Sequence, residues 1–185
     1  AAIVYIQGTG LGNCENALDS VQIIINPPIE TSIIGETLIC FGTTQDLKVE
    51  VAGGTPNYTI LWDNGINDSI NPRLGPGSYS VVVVDESSNT CTDTTLITII
   101  ERPEIYTDLD SVTEIFCDNT TSLFVSAYGG TGSNYSYNWN NGESGSAIQV
   151  SPGEYAVSVT DEAGCKKNDT TYVISTNSDL NFSFP

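Results

Sequence analysis

Cysteine is the residue whose spacing in this chain points most clearly to chemistry. The five cysteines, Cys14, Cys40, Cys91, Cys117 and Cys165, recur at regular places, and the 185-residue chain has neither a histidine nor a Cys-x-x-Cys pair. Structural zinc sites use cysteine pairs of that kind, often together with histidine. The pattern therefore favours disulfides formed in an oxidising compartment over a zinc site.

Two regular disulfide schemes fit the cysteine spacing. Pairing within a module joins Cys40 to Cys91 and Cys117 to Cys165, and it leaves Cys14 to a partner outside the chain. Pairing across linkers joins Cys14 to Cys40 and Cys91 to Cys117, and it leaves Cys165 over. The second scheme has equal spacing in both copies, and strand parity in a sandwich also favours it. Both schemes stay open on the residues alone.

Catalytic chemistry is poorly supported by the residues present. Without histidine, a Ser-His-Asp or Cys-His arrangement is impossible, and no Gly-rich phosphate loop or metalloprotease motif occurs. The carboxylates of Asp85 with Glu86, or of Asp108 with Asp110, are a conceivable glycosidase pair. Each pair falls at a strand end or linker, where a solvated charge is the ordinary outcome, so we expect no enzyme activity.

Calcium is the one ion that the acidic turns suggest. Asp108 and Asp110 follow the first module and supply the hard oxygen ligands that Ca²⁺ accepts with loose geometry. The alternative is that these turns are simply solvated. No other cofactor is expected.

Hydroxyl residues that follow an aspartate are candidates for modification. Five of them precede a small or aliphatic residue: Ser20, Ser69, Thr94, Ser111 and Thr170. This pattern resembles the general O-glycosylation acceptor of exported Bacteroidota proteins. The alternative is that these residues merely face water. Several Asn-x-Ser/Thr sequons also occur, and their meaning depends on the compartment.

The elements that would carry these residues repeat along the chain. Cys40 and Cys117 are separated by the same distance as Trp62 and Trp139, and the intervening Gly-Gly-Thr, Asn-Gly and Pro-Gly motifs recur in order. We predict two modules, 28–103 and 104–178. Residues 1–27 match the last two strands of an upstream module, and residues 179–185 match the start of a following one.

Each module reads as a series of strands. Leu47, Val49 and Val51 alternate with charged residues, which predicts a strand buried on one face. Residues 58–62 form a second strand that brings Trp62 into the core, and Asn64-Gly65 is a strong hairpin signal. Further strands are predicted over 69–74, 79–85 and 92–100.

The architecture that follows is an all-β sandwich of about seven strands, repeated along a rod. Tyr79 stands at the start of the penultimate strand, like the tyrosine corner of immunoglobulin-like domains. No window shows sustained helical periodicity. Pro27, Pro28 and Pro103 at the module ends predict short, stiff linkers and an extended array.

The charge of the chain limits its partners. It carries 23 acidic and 5 basic residues, a formal net charge of −18. Such a surface repels phosphate backbones and anionic lipids, so we expect no nucleic-acid binding and no membrane insertion. The first residues do not form a signal peptide, so we expect export to be encoded elsewhere.

The motifs resemble one known family, the SprB-type repeat. The residues that carry the resemblance are Cys-Phe-Gly at 40–42, Val-Ala-Gly-Gly-Thr-Pro-Asn-Tyr at 51–58, Trp62, Asn64-Gly65, Leu-Gly-Pro-Gly-Ser-Tyr at 74–79, Val-Val-Asp at 83–85 and Cys91. The likeness covers nearly all of 28–178, although the second copy has Asp118-Asn119 in place of Phe41-Gly42. SprB-type repeats are similar to PKD and immunoglobulin-like modules. Because both cysteines belong to one such repeat, the resemblance implies the within-module disulfides.

The resemblance also implies a function. SprB-type repeats occur in giant surface adhesins of gliding Bacteroidota and in related secreted proteins. We therefore expect a non-catalytic, extracellular repeat segment of a large bacterial cell-surface adhesin or filament, acting as a stalk, in adhesion or in gliding. The alternative is a spacer or carbohydrate-binding module of a secreted hydrolase. Expected partners are neighbouring modules of the same chain, other copies in a fibre, and surface glycans.

Overall fold

The computed structural model describes residues 2–8, 17–23, 27–86, 91–116 and 120–176. Strands are the only regular elements in these ranges, which confirms the predicted all-β fold. Their bounds are β1 Ala2–Gly8, β2 Ala17–Ile23, β3 Glu30–Ile34, β4 Leu38–Ile39, β5 Gln45–Ala52, β6 Tyr58–Trp62, β7 Ile70–Leu74, β8 Gly77–Asp85, β9 Cys91–Glu101, β10 Ile105–Asp108, β11 Val112–Phe116, β12 Thr121–Phe124, β13 Ser126–Gly129, β14 Ser136–Trp139, β15 Ala147–Val150, β16 Gly153–Thr160 and β17 Lys166–Thr176. Within the described ranges no helix is long and apolar enough to cross a membrane.

The first repeat forms two sheets of immunoglobulin-like order. One sheet has the order β3-β5-β7, and the other has the order β4-β9-β8-β6. The pairs β3–β5, β5–β7 and β6–β8 are antiparallel, and β4 runs parallel to the end of β9. The short β4 continues from β3 but joins the opposite sheet, as the split first strand of many immunoglobulin-like domains does. The predicted β-sandwich fold is thereby confirmed.

The second repeat follows the same plan with one interruption. Its larger sheet has the order β11-β17-β16-β14, and β11 is again parallel to the last strand. The opposite side consists of two strand pairs, β10 with β13 and β12 with β15. Val125 separates β12 from β13, and its N–H donates to the carbonyl oxygen of Ser146 at 2.9 Å.

Contacts divide the chain into two compact units. The first comprises Ala1–Glu36 with Gln45–Thr98, and the second comprises Thr37–Thr44 with Ile99–Pro185. Segment Thr37–Thr44 belongs to the first sequence repeat but groups with the second unit. The module bounds at 27/28, 103/104 and 178/179 stay predictions, as does the assignment of the antiparallel hairpin β1–β2 to an upstream module.

The core of the first unit comes from alternate residues of facing strands. Leu47, Val81 and Val83 are fully buried, and Val49 is nearly so. Trp62 is 1% exposed, and its indole Nε1 donates to the carbonyl oxygen of Asp68 at 2.9 Å. A buried indole needs such a partner for its N–H. The predicted role of Trp62 as a core residue is confirmed.

The core of the second unit repeats this arrangement. Trp139 is 4% exposed, and its Nε1 donates to the carbonyl oxygen of Gly145 at 3.0 Å. The buried cluster around it contains Ile105, Ile115, Leu123, Val125, Ile148, Val150, Val157, Val159, Cys165 and Val173. The apolar alternation seen in the sequence therefore builds both cores.

The tyrosine corner is confirmed in both repeats. The hydroxyl of Tyr79 donates to the carbonyl oxygen of Gly75 at 3.0 Å, and that of Tyr155 donates to the carbonyl oxygen of Ser151 at 2.9 Å. Each bond ties the penultimate strand to the turn before it.

The hairpin expected at Asn64-Gly65 is wrong as a connection between paired strands. A tight turn does form, because the Gly65 N–H donates to the carbonyl oxygen of Trp62 at 2.9 Å and Gly65 has a φ of 88°. The strands on either side then separate: β6 pairs with β8, whereas β7 pairs with β5. The turn carries the chain from one sheet to the other.

The Gly-Gly-Thr motif allows close approach of two backbone segments. Gly53 has a φ of 71°, and a Cβ built on it would lie 2.0 Å from the carbonyl oxygen of Pro28. The next residue, Gly54, donates its N–H to the carbonyl oxygen of Pro27 at 3.1 Å. The buried carboxylate of Asp85 accepts the N–H of Thr55 at 2.8 Å. The motif is thus explained by packing.

We expect Gly53→Ala to lower the free energy of unfolding by about 3 kcal/mol, because the added methyl group overlaps backbone that cannot move aside. Gly65→Ala is the matched control, since Gly65 also has a positive φ but its Cβ position meets no atom within 4 Å. It should cost only the conformational strain, about 1 kcal/mol. Urea unfolding of both variants measures the difference. Equal losses would contradict the close-approach explanation.

Candidate functional site

The feature of the second unit with most chemical consequence is a disulfide between Cys40 and Cys165. The Cα atoms are 5.5 Å apart, within the ordinary range for a cystine. We call the earlier cysteine of a repeat its leading cysteine and the later one its closing cysteine. The bond joins the leading cysteine of the first repeat to the closing cysteine of the second.

Backbone pairing positions the leading cysteine. The N–H of Ile100 donates to the carbonyl oxygen of Thr37 at 2.7 Å, and the N–H of Arg102 donates to that of Ile39 at 2.8 Å. The N–H of Gly42 donates to a carboxylate oxygen of Glu101 at 2.7 Å. These bonds hold both sides of Cys40 against the end of β9.

A buried carboxylate positions the closing cysteine. Asp161 is 6% exposed, and its Oδ1 accepts the N–H groups of Ala163 and Cys165, each at 2.9 Å. Its Oδ2 accepts the N–H of Thr131 at 2.8 Å. One side chain therefore shapes the hairpin that carries Cys165 and ties it to the Gly-Gly-Thr turn.

The predicted disulfide pairs are wrong for the cysteines described. Cys40 is bonded to Cys165, so it is paired with neither Cys91 nor Cys14, and Cys165 is not paired with Cys117. Cys91 is an exposed free thiol at the start of β9. The physical reason is that segment Thr37–Thr44 lies in the second unit. Cys14 and Cys117 lie outside the described residues.

A small cavity adjoins the disulfide in the second unit. Its volume is about 140 Å³, and its lining includes Phe41, Pro103 and Ile105 beside the two cysteines. The ammonium group of Lys167 lies 3.0 Å from a carboxylate oxygen of Glu104 at its edge.

Asp108 and Asp110, the predicted calcium ligands, line one open cavity of about 440 Å³. Phe124, Ser126 and Ser146 line it as well. In the described part of the chain, no group of three or more acidic or cysteine side chains is placed to hold a metal ion. A calcium site at Asp108 and Asp110 stays an untested alternative to solvated turns.

The row of exposed aromatic rings beside this cavity was missed by sequence reasoning. Tyr106 and Tyr128 are opposite each other in the register of β10 and β13, and their rings stack with centroids 5.3 Å apart. They are 46% and 59% exposed, and Phe124 is 70% exposed. A hydrogen bond with Glu104 raises the pKa of Tyr106. The alternation of residues in the strands was the available signal. Tyr106 and Asp108 are two positions apart in β10, so both side chains lie on the same, outward face of the strand.

The predicted glycan acceptors lie at separate places. Ser20, Thr94, Ser111 and Thr170 are exposed, and Ser69 is half-buried. The hydroxyl of Ser69 donates to a carboxylate oxygen of Asp68 at 3.1 Å. Together with the N–H of Ile70, it lowers the pKa of Asp68. Glycosylation of these residues stays a prediction.

Two acidic side chains, Asp93 and Glu162, each accept hydrogen bonds from several donors. Asp93 accepts both the hydroxyl and the N–H of Thr31 at 2.8 Å, and these bonds lower its pKa. Glu162 accepts the N–H groups of Ser133 and Asn134 at 3.0 Å, which lowers its pKa as well. Both act as structural braces between strands or loops.

We expect Asp93→Asn to destabilise the protein at pH 7 and to have progressively less effect in acid. A carboxylate with a lowered native pKa contributes stability above its unfolded value, near 3.8, and loses it as the pH falls through the native value. The measurement is the urea midpoint of wild type and variant from pH 7 to pH 2.5. Asp110→Asn removes the same charge at an exposed site and is the control. A difference that does not shrink below pH 3.8 would contradict this account.

We expect saturating calcium to leave the melting temperature unchanged, compared with the protein in chelator. Ca²⁺ takes six to eight oxygen ligands, and the Asp108–Asp110 cavity offers two carboxylates and two serines among its lining residues. A site that binds only the folded protein, at about a hundredfold excess over its Kd, would add about 2.7 kcal/mol. A calcium-dependent rise that Asp108→Asn removes would contradict the prediction and establish a site.

Comparisons with known proteins found similar solved structures. Three N-terminal domains of the bacteriophage RB49 highly immunogenic outer capsid protein match with 17% identity and a TM-score of 0.37, over 80% of this chain and 58% of theirs. Immunoglobulin domains 1–5 of Sidekick-1 match with 14% identity and a TM-score of 0.35, over 90% and 43%. The N-terminal eight Ig domains of DSCAM isoform 1.30.30 match with 12% identity and a TM-score of 0.40, over 90% and 30%.

These likenesses are weak, and the chain spans less than two thirds of each of the three structures. With TM-scores below 0.5 they carry no argument, so the immunoglobulin-like assignment depends on the sheet order and tyrosine corners. No protein-family model and no characterised protein matches the sequence.

Proposed function

We propose that this chain is a non-catalytic, extracellular repeat segment of a large bacterial cell-surface adhesin or filament, similar to the SprB-type repeats. The observation that carries the proposal is the Cys40–Cys165 disulfide, which links two successive sequence repeats. A bond of this kind fits a protein that works outside the reducing cytosol. It also fits repeats that act as one covalent piece, with neighbouring modules of the same chain as their first partners.

The use of the repeated polar residues supports a scaffold role. The Trp, Tyr and Asp side chains that recur in both repeats bond to main-chain groups of their own repeat. These side chains are therefore explained by the fold, and recognition is left to surfaces and to other parts of the protein. The net charge of −18 keeps such a surface soluble and away from anionic polymers. An extended array with stiff linkers remains the prediction made from the prolines.

Antibodies raised against the 185-residue chain test this proposal. They should label intact, unpermeabilised cells of the source organism along surface filaments, and their Fab fragments should reduce attachment or gliding. Fab fragments against an unrelated surface protein are the control. Labelling only after permeabilisation, or loss of a secreted hydrolase activity without any change in attachment, would overturn the adhesin assignment.

A second candidate function is binding of a neutral glycan, which would suit a carbohydrate-binding module. The observation that favours it is the exposed Tyr106–Tyr128 stack beside the cavity of Asp108 and Ser126. Sugar rings pack on aromatic faces, and carboxylates accept their hydroxyl groups. Titration with neutral polysaccharides should show binding that Tyr128→Ala removes and Tyr137→Phe, which lies on the half-buried face of β14, does not. If the protein bound none of these polysaccharides, this candidate would be excluded.

Glycosylation of Ser20, Ser69, Thr94, Ser111 and Thr170 is a separate part of the proposal. Glycans at exposed positions of the last strands would shield β-edges from pairing with other chains. The intact mass of the native protein tests it, and a mass equal to that of the bare chain would remove it.

A further inference from the structure

Cys91 differs in bonding state from its counterpart in the other repeat. Both Cys91 and Cys165 are closing cysteines, yet Cys165 is bonded and buried while Cys91 is an exposed free thiol. The partner of Cys165 is the leading cysteine of the preceding repeat, Cys40. The equivalent partner for Cys91 would be the leading cysteine of a repeat placed before 28–103.

The two closing cysteines lie between pairs of aspartates with equal spacing. These flanking aspartates are Asp85 and Asp93 in the first repeat, and Asp161 and Asp169 in the second. The flanking aspartates also have matching partners, since Thr55 and Thr131 donate to the first of each pair, and Thr31 and Thr107 to the second. The flanking aspartates therefore correspond between the two repeats. Counted from the first aspartate of its pair, Cys91 lies two positions later in the sequence than Cys165 does, at the first residue of β9.

We propose that Cys91 forms a disulfide with the leading cysteine of another copy of the repeat. Two independent observations support this: the exposed thiol itself, and the bond that the corresponding cysteine makes within the same molecule. The rule is that a leading cysteine bonds the closing cysteine of the next repeat. The proposal rests on the proposed function, because it requires this chain to work among further repeats.

The kind of segment that would carry the partner cysteine of Cys91 can be inferred from the segment that carries Cys40. In the second unit, segment Thr37–Thr44 is held by hydrogen bonds to the end of β9 of its own repeat, and its Cys40 bonds to Cys165 of the next repeat. A preceding repeat with a similar Leu-Ile-Cys segment would present its leading cysteine to Cys91 in the same way. The partner is thus a β-strand segment of a similar repeat, and a small thiol does not satisfy the proposal.

The bond forms by thiol–disulfide exchange. The oxidant is a disulfide of an exported thiol oxidoreductase, which first forms a mixed disulfide with the leading cysteine. The Cys91 thiolate attacks the leading cysteine's sulfur, the S–S bond to the oxidant breaks, and the oxidant leaves as a thiolate. Overall, two thiols lose two protons and two electrons, and the oxidant is reduced to a dithiol.

Disulfide mapping of the protein isolated from its source cells tests the proposal. Free thiols are alkylated without reduction, and linked peptides are identified by mass spectrometry after digestion. More than about nine tenths of Cys91 should be linked to a leading cysteine outside residues 1–185, as expected for a stable structural disulfide. Alkylated Cys91, or Cys91 linked to a small thiol or to another cysteine of this chain, would overturn the proposal.

The recombinant 185-residue chain provides the control. With Cys14→Ser and Cys117→Ser in the background, one thiol should react with Ellman's reagent in the folded state, and Cys91→Ser should abolish that reaction without lowering the melting temperature. An unreactive thiol in this chain would overturn the proposal, because the partner segment could not reach it. Failure of the mapping with surface labelling intact removes only this inference, whereas failure of surface labelling removes the proposed function.

Discussion

Replacing both Cys40 and Cys165 by serine should lower the free energy of unfolding by about 5 kcal/mol. The disulfide joins residues with a sequence separation of 125, and in the chain-entropy model a loop of that length gives a loss of this size. Small domains unfold with only about 5 to 15 kcal/mol, so the effect is a large share of the total.

The measurement is urea unfolding of the oxidised protein and of the double variant, with Cys14 and Cys117 replaced by serine in both. Dithiothreitol should shift the oxidised protein to the variant's midpoint and leave the variant itself unchanged. A difference below about 1 kcal/mol between the two proteins would show that the unfolded chain gains little freedom when the bond is absent.

Trp62→Ala should be the most damaging single substitution in the first unit, with a loss of about 3 to 5 kcal/mol. The side chain is 1% exposed, and its removal leaves both a cavity and an unpaired carbonyl oxygen at Asp68. Trp62→Phe keeps much of the apolar volume but not the N–H donor, so it should lose clearly less.

Far-ultraviolet circular dichroism in urea measures both variants, since the chain has only two tryptophans and fluorescence would lose one reporter. Leu61→Ala is the control. The Leu61 side chain, next to Trp62 in the sequence, is 51% exposed, so its truncation should lower the free energy of unfolding only slightly. A Trp62→Ala loss no larger than that of Leu61→Ala would contradict the assignment of Trp62 to the core.

Local elements were predictable because their signals are local. The predicted strand over 58–62 coincides with β6, and the strand signalled by Leu47 and Val49 is β5, with both side chains buried. The tyrosine corner was also foreseen, since it depends on a tyrosine placed just after a turn. Alternation and turn residues determine these features within a few positions of the chain.

The errors concern choices between distant partners. Asn64-Gly65 specifies a tight turn, but which sheet the next strand joins depends on the edges available, and β7 pairs with β5. The disulfide prediction failed for a similar reason. A scheme in which each leading cysteine bonds to the closing cysteine of the next repeat is as regular as the two schemes that were considered. Spacing alone cannot rank that scheme against the other two. The position of segment Thr37–Thr44 in the second unit decides it.

The Cys40–Cys165 bond also determines which part of the chain can carry tension. A pull applied to the two ends of the polypeptide passes through the sulfur bridge, so the peptide between Cys40 and Cys165 is bypassed and cannot be drawn out while the bridge holds. Reduction would release a hidden length on the order of 400 Å once that segment unfolds. The redox state of the surroundings therefore decides whether the segment between Cys40 and Cys165 can unfold and extend under load.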